Sequence, residues 1–124
     1  FLPLNGYIIE MSTTSNLNEY VSFVAPFDGY LDQVVVRSEE ACGSTVVGLH
    51  KSSTGTEVPN STASATVTVD MTADDTPFKF DFTSNNTFTA GQILAVSFQP
   101  SNDANDTNAS VVFVFDRTQG VWWV

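Results

Sequence analysis

The sequence predicts an all-β fold, an antiparallel β-sandwich of the jelly-roll type with about eight strands. Short runs that alternate apolar and polar residues recur along the chain, and clusters of Gly, Pro, Asn, Asp and Ser separate them. No apolar pattern with the period of a helix persists through two turns. The chain of 124 residues has the length of one domain, so residues 1–124 are expected to form a single sandwich.

The first half of the chain contributes four of the predicted strands. They are Gly6 to Met11, Tyr20 to Val24, Tyr30 to Arg37 and Ser44 to Lys51. Each is a short run with β-branched or aromatic residues, which favour strands. Between the second and third runs, "PFDG" places a proline and a glycine where a tight turn uses them. Asp28-Gly29 is therefore predicted to be the corner of a hairpin, with Gly29 free to adopt a positive φ.

The second half contributes four more strands and a ninth candidate at its end. They are Ala65 to Met71, Phe78 to Phe82, Gln92 to Phe98 and Ser110 to Phe115, followed by Val121 to Val124. In "TVTVDM" and "FKFDF" every second residue is apolar, so each strand has one dry face and one wet face. "QVVV" and "SVVFVF" are apolar on both faces, which suits the middle of a sandwich or an outer face that meets another subunit. The stretches Ser52 to Ser64 and Pro100 to Ala109 are predicted surface loops.

The charge and composition of the chain argue against several classes of partner and site. Four Lys and Arg residues against fourteen Asp and Glu give a formal net charge of −10, which repels phosphate backbones and disfavours nucleic-acid binding. The apolar stretches are far shorter than a bilayer span, so no membrane insertion is expected, and no signal peptide is expected at the start of the chain. Cys42 is alone, which excludes an internal disulfide and a Cys-based zinc site.

Residues with catalytic chemistry are few. His50 is the single histidine, and in "VVGLHK" it shares a strand face with Gly48, opposite Val47 and Leu49. A histidine base needs a nucleophile and an orienting carboxylate, which the sequence does not place beside it, so a partly exposed structural histidine is expected. The pairs Glu39-Glu40 and Asp74-Asp75 are interpreted as solvated turn carboxylates, because adjacent strand residues point to opposite faces. No enzymatic activity and no cofactor are predicted.

A loop cation site was considered at Asp103, Asn105 and Thr107, whose alternating oxygens resemble the start of a calcium loop. The pattern lacks the glycine that this loop requires at its sixth position, and Val114 stands where its bidentate glutamate belongs. A site completed by Asp106 or by a neighbouring loop stays open as an alternative, and no metal is predicted.

Aromatic residues are the remaining candidates for binding. Trp122 and Trp123 near the end of the chain, together with Tyr7, Tyr20 and Tyr30, offer rigid planes on which sugar rings stack. The alternative is that one tryptophan enters the core or a subunit contact while the other covers a sheet edge. Trp122, Trp123 and Tyr30 are the candidate interface or glycan contacts.

Four sequence segments, taken in their order along the chain, resemble those of a known family. They are "YVSFVAPFDGYLDQVVVRSE", "GSTVVGLHKSSTGTEVPN", "TVTVDMTADDTPFKFDFT" and "TFTAGQILAVSFQPSNDANDTNASVVFVFD". From Gly6 to Asp116 the chain resembles the small jelly-roll modules of marine tailed-bacteriophage virion proteins, found at fibre ends and in capsid decoration proteins. The segment from Phe88 to Val96 is also similar to a late strand of the trimeric jelly rolls of the complement and tumour-necrosis-factor type. In those proteins the glycine turns the chain into a strand that packs in the trimer.

The resemblance implies a homotrimer without enzymatic activity, located on the virion. Its implied partners are copies of itself, other virion or capsid proteins and a host-surface glycan. A chain that begins at Phe1 fits a piece of a longer fibre or decoration protein, and no trimerising shaft is visible in these residues. The alternative function is a carbohydrate-binding β-sandwich module that uses Trp122 and Trp123. A hydrolase built on His50 ranks third.

Overall fold

Strands account for nearly all the regular structure of this chain. The computed structural model describes residues 2–5, 11, 13–17, 21–53 and 56–120. In chain order the strands are β1 Leu2–Asn5, β2 Phe23–Val24, β3 Phe27–Arg37, β4 Gly43–Ser52, β5 Ala65–Met71, β6 Phe78–Asp81, β7 Thr87–Phe88, β8 Ile93–Pro100 and β9 Asn108–Gly120. A 3₁₀ turn at Thr14–Asn16 precedes β2. The predicted all-β class is confirmed.

The strands form two antiparallel sheets. One has the order β1-β9-β3-β6, with β7 also pairing with β3, and is called the five-stranded sheet; the four-stranded sheet has the order β2-β8-β4-β5. β6 pairs with Gln33 to Val36 and β7 with Gly29 and Tyr30, so both lie beside β3 as one interrupted edge strand. If β6 and β7 are counted as one strand, the nine segments become eight strands, which is the predicted number.

The pairing has the jelly-roll pattern. The hairpin of β4 and β5 lies at the centre of the chain, and working outward β3 pairs with β6 and β7, β2 with β8, and β1 with β9. The chain thus forms one long antiparallel ribbon of paired strands. Successive pairs along this ribbon belong alternately to the two sheets, so folding the ribbon brings the sheets face to face. The predicted jelly-roll sandwich is confirmed.

The core lies between the sheets and is rich in phenylalanine. Alternation along β9 sends Val111, Phe113 and Phe115 inward, and the last two rings are fully buried. The ring of Phe113 lies edge-on to Phe23 and Phe88, at centroid distances of 5.3 and 5.9 Å. These edge-to-face contacts join β9 to both sheets, so the aromatic cluster fixes how the two layers sit on each other.

The predicted strand boundaries differ from the observed ones mainly at strand starts. Ala65 to Met71 was predicted as a strand and is observed with those bounds. β3 starts three residues before its prediction, β9 extends on both sides of its prediction, and β1 and β7 were not predicted. The predicted strand from Gly6 lies outside the described residues apart from Met11, which is not in a strand, and Val121 to Val124 lies outside them entirely.

The predicted turn at Asp28-Gly29 is wrong. Both residues belong to β3, where Asp28 pairs with Asp116 and Gly29 with Phe115. The corner lies earlier, at Ala25 and Pro26, where the chain leaves the four-stranded sheet for the five-stranded one. Turn residue types marked the region correctly, but the chain there passes from one sheet to the other and does not fold back on the strand it leaves.

Gly29 is required for space and not for a positive φ, which it does not adopt. A Cβ at this position would overlap the carbonyl oxygen of Val114 and would stand 3.1 Å from its carbonyl carbon. β3 continues through Gly29, which pairs with β9 on one side and with β7 on the other. A glycine is needed here because the backbones of β3 and β9 approach each other closely.

Candidate functional site

The candidate site is the outer face of the five-stranded sheet at its two central strands. Alternation along β3 and β9 sends Val34, Val36 and Phe113 into the core, so their neighbours point away from it. The residues that β3 and β9 direct to this side, which we call the β3–β9 face, are Tyr30, Gln33, Val35, Ser110, Val112 and Val114. Four of these six are apolar or aromatic, which agrees with the prediction that both strands are apolar on both faces.

The β3–β9 face is continuous across the two strands. Tyr30 lies opposite Val114 in the pairing register, Gln33 opposite Val112, and Val35 opposite Ser110. Val114 is 8% exposed although it lies outside the central hydrophobic cluster, whereas Val35, Val112 and Tyr30 are half-buried. Cross-strand neighbours of this kind form a single apolar surface in place of scattered exposed residues.

Charged side chains border this face and neutralise each other. On β6, Lys79 lies opposite Val35 and its ammonium group is 3.5 Å from the carboxylate of Asp81. At the end of β3, the guanidinium of Arg37 donates to the Asp75 carboxylate at 2.9 Å. Two of the four cations in a chain of net charge −10 thus flank this face. Repulsion between two copies is therefore weaker here than over most of the surface.

An open cavity of about 140 Å³ lies at the Arg37 end of the β3–β9 face. Its lining residues are Val35, Arg37, Asn108, Ala109 and Ser110. An apolar side chain from a neighbouring molecule would meet the valine there, while polar groups would meet Arg37 and Asn108. The cavity extends the face toward the β8–β9 loop.

The outer face of the four-stranded sheet is different in character. Its β5 edge exposes Thr66, Thr68 and Asp70, which alternate with the half-buried valines of that strand. Nearer the middle of the sheet, the loop between β4 and β5 lies over Gly48 and His50. This face is polar where it is open, and the loop covers Gly48 and His50, so it offers less apolar surface to a partner.

The structure places one of the three predicted contact residues. Tyr30 lies on the β3–β9 face, where the register sets it beside Val114. Trp122 and Trp123 lie outside the described residues, which end at Gly120 in β9. A role for the tryptophans in glycan stacking or in a subunit contact therefore stays a prediction.

His50 is fully buried, which corrects the expectation of a partly exposed histidine. It does share a strand face with Gly48, as predicted, but the β4–β5 loop covers that face. Its Nδ1 lies 2.8 Å from the Asn60 carbonyl oxygen and its Nε2 2.8 Å from the Ser97 hydroxyl. A carbonyl only accepts, so Nδ1 carries the proton and Nε2 accepts the hydrogen of Ser97. Burial lowers the pKa of His50, and the bond to Asn60 opposes this in part.

Ser97 was not predicted as a partner of His50. It lies in "LAVSF" on β8, where the register puts it opposite Gly48, and it is 2% exposed. A serine in an apolar strand is a signal for a buried hydrogen bond, but its partner comes from a strand that is distant in sequence. The pair has the spacing of a nucleophile and a base. With a backbone carbonyl behind the imidazole and no exposure of the hydroxyl, its evident role here is to satisfy buried polar groups.

The carboxylates that were predicted in turns lie at one end of the sandwich. Glu39, Glu40, Asp74 and Asp75 are all exposed, as expected of turn residues. Asp74 accepts a hydrogen bond from the Ala41 amide at 2.8 Å. The structure adds a pair that the sequence did not predict, because the carboxyl of Glu39 hydrogen-bonds that of Asp106 in the β8–β9 loop. This bond and the charge of Asp106 raise the pKa of Glu39.

Two residues of the candidate calcium loop have protein partners, Asn105 through its backbone carbonyl and Thr107 through its hydroxyl. Ser38, which is 1% exposed, donates its hydroxyl to the Asn105 carbonyl at 3.1 Å and accepts from the Thr107 hydroxyl at 3.2 Å. The Glu39 amide donates to the same Asn105 carbonyl at 2.9 Å. Within the described residues, no group of three or more His, Cys, Asp or Glu side chains is arranged to hold a metal ion. Ser38 anchors this loop, and sequence reasoning did not single it out.

Replacing Glu39 with glutamine is expected to stabilise the protein at neutral pH. A carboxyl whose pKa is raised in the fold stabilises it below the ordinary value of 4.5, and this contribution is lost as pH rises through the folded pKa. At pH 7 Glu39 and Asp106 repel, and an amide removes this repulsion while keeping a donor. Thermal melts should show a higher Tm for Glu39→Gln at pH 7 and no gain at acidic pH.

The exposed Glu57 offers the matched control, because Glu57→Gln removes the same charge in a different loop. A Tm gain of equal size in both variants would trace the effect to net charge and contradict the proposed pairing. An unchanged or lower Tm for Glu39→Gln alone at pH 7 would contradict it too.

Comparison of the chain with protein-family models, with curated proteins and with solved structures gave no match. The resemblance to phage virion modules therefore stays a prediction. Across the part of the chain that the structure describes, no helix is long and apolar enough to cross a membrane.

Proposed function

We propose that this chain is a non-enzymatic virion structural module of a tailed bacteriophage, a fibre-tip or capsid-decoration domain that assembles as a homotrimer. Its partners are copies of itself, other virion or capsid proteins and a host-surface glycan, and its location is the surface of the particle. The phage assignment depends on the four sequence segments and their order. The proposed assembly depends on the β3–β9 face.

The apolar content of the β3–β9 face supports association of copies through it. Val35 and Val112 point away from the core on the two most central strands of the sheet, where alternation would otherwise place polar residues. Each would lose its remaining contact with water in an interface, at a gain of about 25 cal/mol for each Å² of apolar surface that is buried. Three copies around one axis would bring three such faces together.

The charges around the face favour the same arrangement. Arg37 and Lys79 each have a carboxylate partner on the same copy, so the charges at the β6 side and at the Arg37 end of the face are compensated. At the other end Asp28 pairs with Asp116, and a partner copy would meet these carboxylates. A polar border around a central apolar strip is the usual anatomy of a subunit interface. The four-stranded sheet, with its exposed threonines and Asp70, lacks this arrangement.

Val112→Lys is expected to convert the trimer to a monomer. Val112 points outward, so the isolated fold should tolerate lysine, whereas an interface would have to desolvate one ammonium group per copy. A loss of at least about 2 kcal/mol per contact is expected. Mass photometry and sedimentation velocity at micromolar concentration should show trimers for the wild type and monomers for the variant, with unchanged circular dichroism.

Val58 provides the control, because it is 45% exposed in the β4–β5 loop and away from the proposed contact. Val58→Lys should stay trimeric. A wild-type chain that is monomeric at micromolar concentration would overturn the assembly, and so would a trimeric Val112→Lys. The virion location is tested separately: antibodies raised against the chain should label the surface of intact phage particles, and particles without label would contradict it.

A further inference from the structure

Residues 56–63 of the loop between β4 and β5 cover part of the outer face of the four-stranded sheet. Pro59 in this stretch is buried, and Ala63 approaches so closely that a Cβ at Gly48 would be 3.1 Å from its own. One hydrogen bond joins the described loop residues 53 and 56–63 to the sheet. It links the His50 imidazole to the Asn60 carbonyl oxygen. At the base of the loop, the Ser64 amide donates to Leu49 at 2.8 Å.

The imidazole of His50 connects three parts of the molecule. It belongs to β4, its Nδ1 proton goes to the loop at Asn60, and its Nε2 receives the hydroxyl hydrogen of Ser97 from β8. In this neutral form every polar atom of the group has its partner, and no buried side-chain nitrogen or oxygen among the described residues is left without one. The neutral imidazole therefore fits this network with both ring nitrogens satisfied.

No charged group around His50 compensates a positive charge on it, among the residues that the structure describes. β8 presents Ala95 and Ser97 to this face, and neither is ionisable. On β4 the neighbouring Lys51 is directed elsewhere, since its ammonium group donates to the Thr87 carbonyl. In the loop the ionisable residue is Glu57, which is exposed. The part of β5 nearest this face contributes Thr66, opposite Gly48.

Protonation would damage the network in two ways. The imidazolium would be a buried charge without a carboxylate partner, which is costly in a low-dielectric interior. Its new Nε2 proton would point at Ser97, whose hydroxyl would have to accept and would lose the acceptor for its own hydrogen. Water relieves both penalties, but it reaches the ring only if the loop lifts.

We propose that His50 is a pH-sensitive latch: protonation of its imidazole releases residues 56–63 of the β4–β5 loop and uncovers the strand surface at Gly48, Ala95 and Ser97. The loop is closed at neutral pH and opens in mildly acidic solution, while the sandwich stays folded. This inference is independent of the proposed virion function, because it concerns the opposite sheet from the β3–β9 face.

The direction of the effect follows from the linkage between protonation and opening. The pKa of His50 is lowered from 6.5 in the closed state, mainly by burial, so the open state binds the proton more tightly. Closure is fully favoured above pH 6.5 and is lost as pH falls below that value. The opening equilibrium rises by up to about tenfold per pH unit. Glu39, whose pKa is raised, acts with the opposite sign and lies beyond the other end of β4.

Hydrogen exchange and NMR on the intact chain test the latch. His50 is the single histidine, so one pair of imidazole resonances reports its tautomer and its titration. Nitrogen shifts should identify the Nδ1-protonated form at pH 7.5, and the midpoint should lie below 6.5. Between pH 7.5 and 5, the amides of Thr62 and Ser64, which donate to the Asn60 side chain and to the Leu49 carbonyl, should lose at least tenfold in protection after correction for intrinsic rates. The β5 and β8 amides should keep theirs.

His50→Gln is the informative variant, because glutamine stays neutral over this range. Its loop protection should be independent of pH. A His50 midpoint at or above 6.5, loop protection that does not change between pH 7.5 and 5, or simultaneous loss of loop and core protection would each overturn the proposal. If His50→Gln does not fold, the titration and exchange of the native chain decide the question alone.

Discussion

Gly29→Val is expected to destabilise the protein by about 3 kcal/mol or more, enough to unfold a large fraction of a domain of ordinary stability. The new Cβ would overlap the Val114 carbonyl oxygen and approach the Phe115 Cα to 3.2 Å. These are backbone atoms of a central strand, so they have little freedom to move. Urea denaturation followed by circular dichroism measures the loss.

Gly29→Ala and Thr68→Val distinguish the physical causes. Alanine adds the same Cβ, so it should account for most of the loss if backbone overlap is responsible. Thr68 is exposed on β5 and lies opposite Val46, so valine there should change stability by less than about 0.5 kcal/mol. A stable Gly29→Val protein with unchanged strand pairing would show that β3 and β9 are not so closely apposed.

Phe113→Ala is expected to cost about 3–5 kcal/mol of unfolding free energy. The ring is fully buried and makes edge-to-face contacts with Phe23 and Phe88, and it lies 6.0 Å from Phe115. Its removal leaves a cavity among rings that belong to both sheets, where collapse is restricted. Equilibrium denaturation in urea should show a lower midpoint with a similar slope.

Phe78→Ala is the matched control for this substitution. Phe78 begins β6 and is half-buried at the edge of the core, so the same truncation should cost about half as much. Equal losses for the two variants would contradict the central position of Phe113 in the core. A loss below about 1 kcal/mol for Phe113→Ala would contradict the packing between the sheets.

Strand identity was largely predictable because its signal is local. In Ala65 to Met71 apolar residues alternate with polar ones and polar clusters close both ends, so the strand was predicted with its observed bounds. The both-sided apolar character of "QVVV" and "SVVFVF" also predicted that β3 and β9 are central, since only such strands have neighbours on both edges and little polar exposure. β7, with two residues, is too short to show any alternation.

The errors have a common origin in contacts between distant residues. "PFDG" contains the residues of a turn, yet Gly29 is a glycine because Val114 lies against it from a strand far along the chain. His50 was placed on the correct strand face, but the loop that covers it and the hydroxyl of Ser97 come from elsewhere. The pairing of Glu39 with Asp106 likewise depends on two loops that meet only in the fold.

Periodicity and turn residues are properties of neighbouring positions, so they establish the all-β class, the approximate strands and the strongly acidic character before any contact is known. Which strands pair, which valines face outward together and which polar groups are buried depend on chain closure across the whole sandwich. The β3–β9 face and the His50 latch both arise there, because each joins segments that are adjacent only after the jelly-roll ribbon has folded.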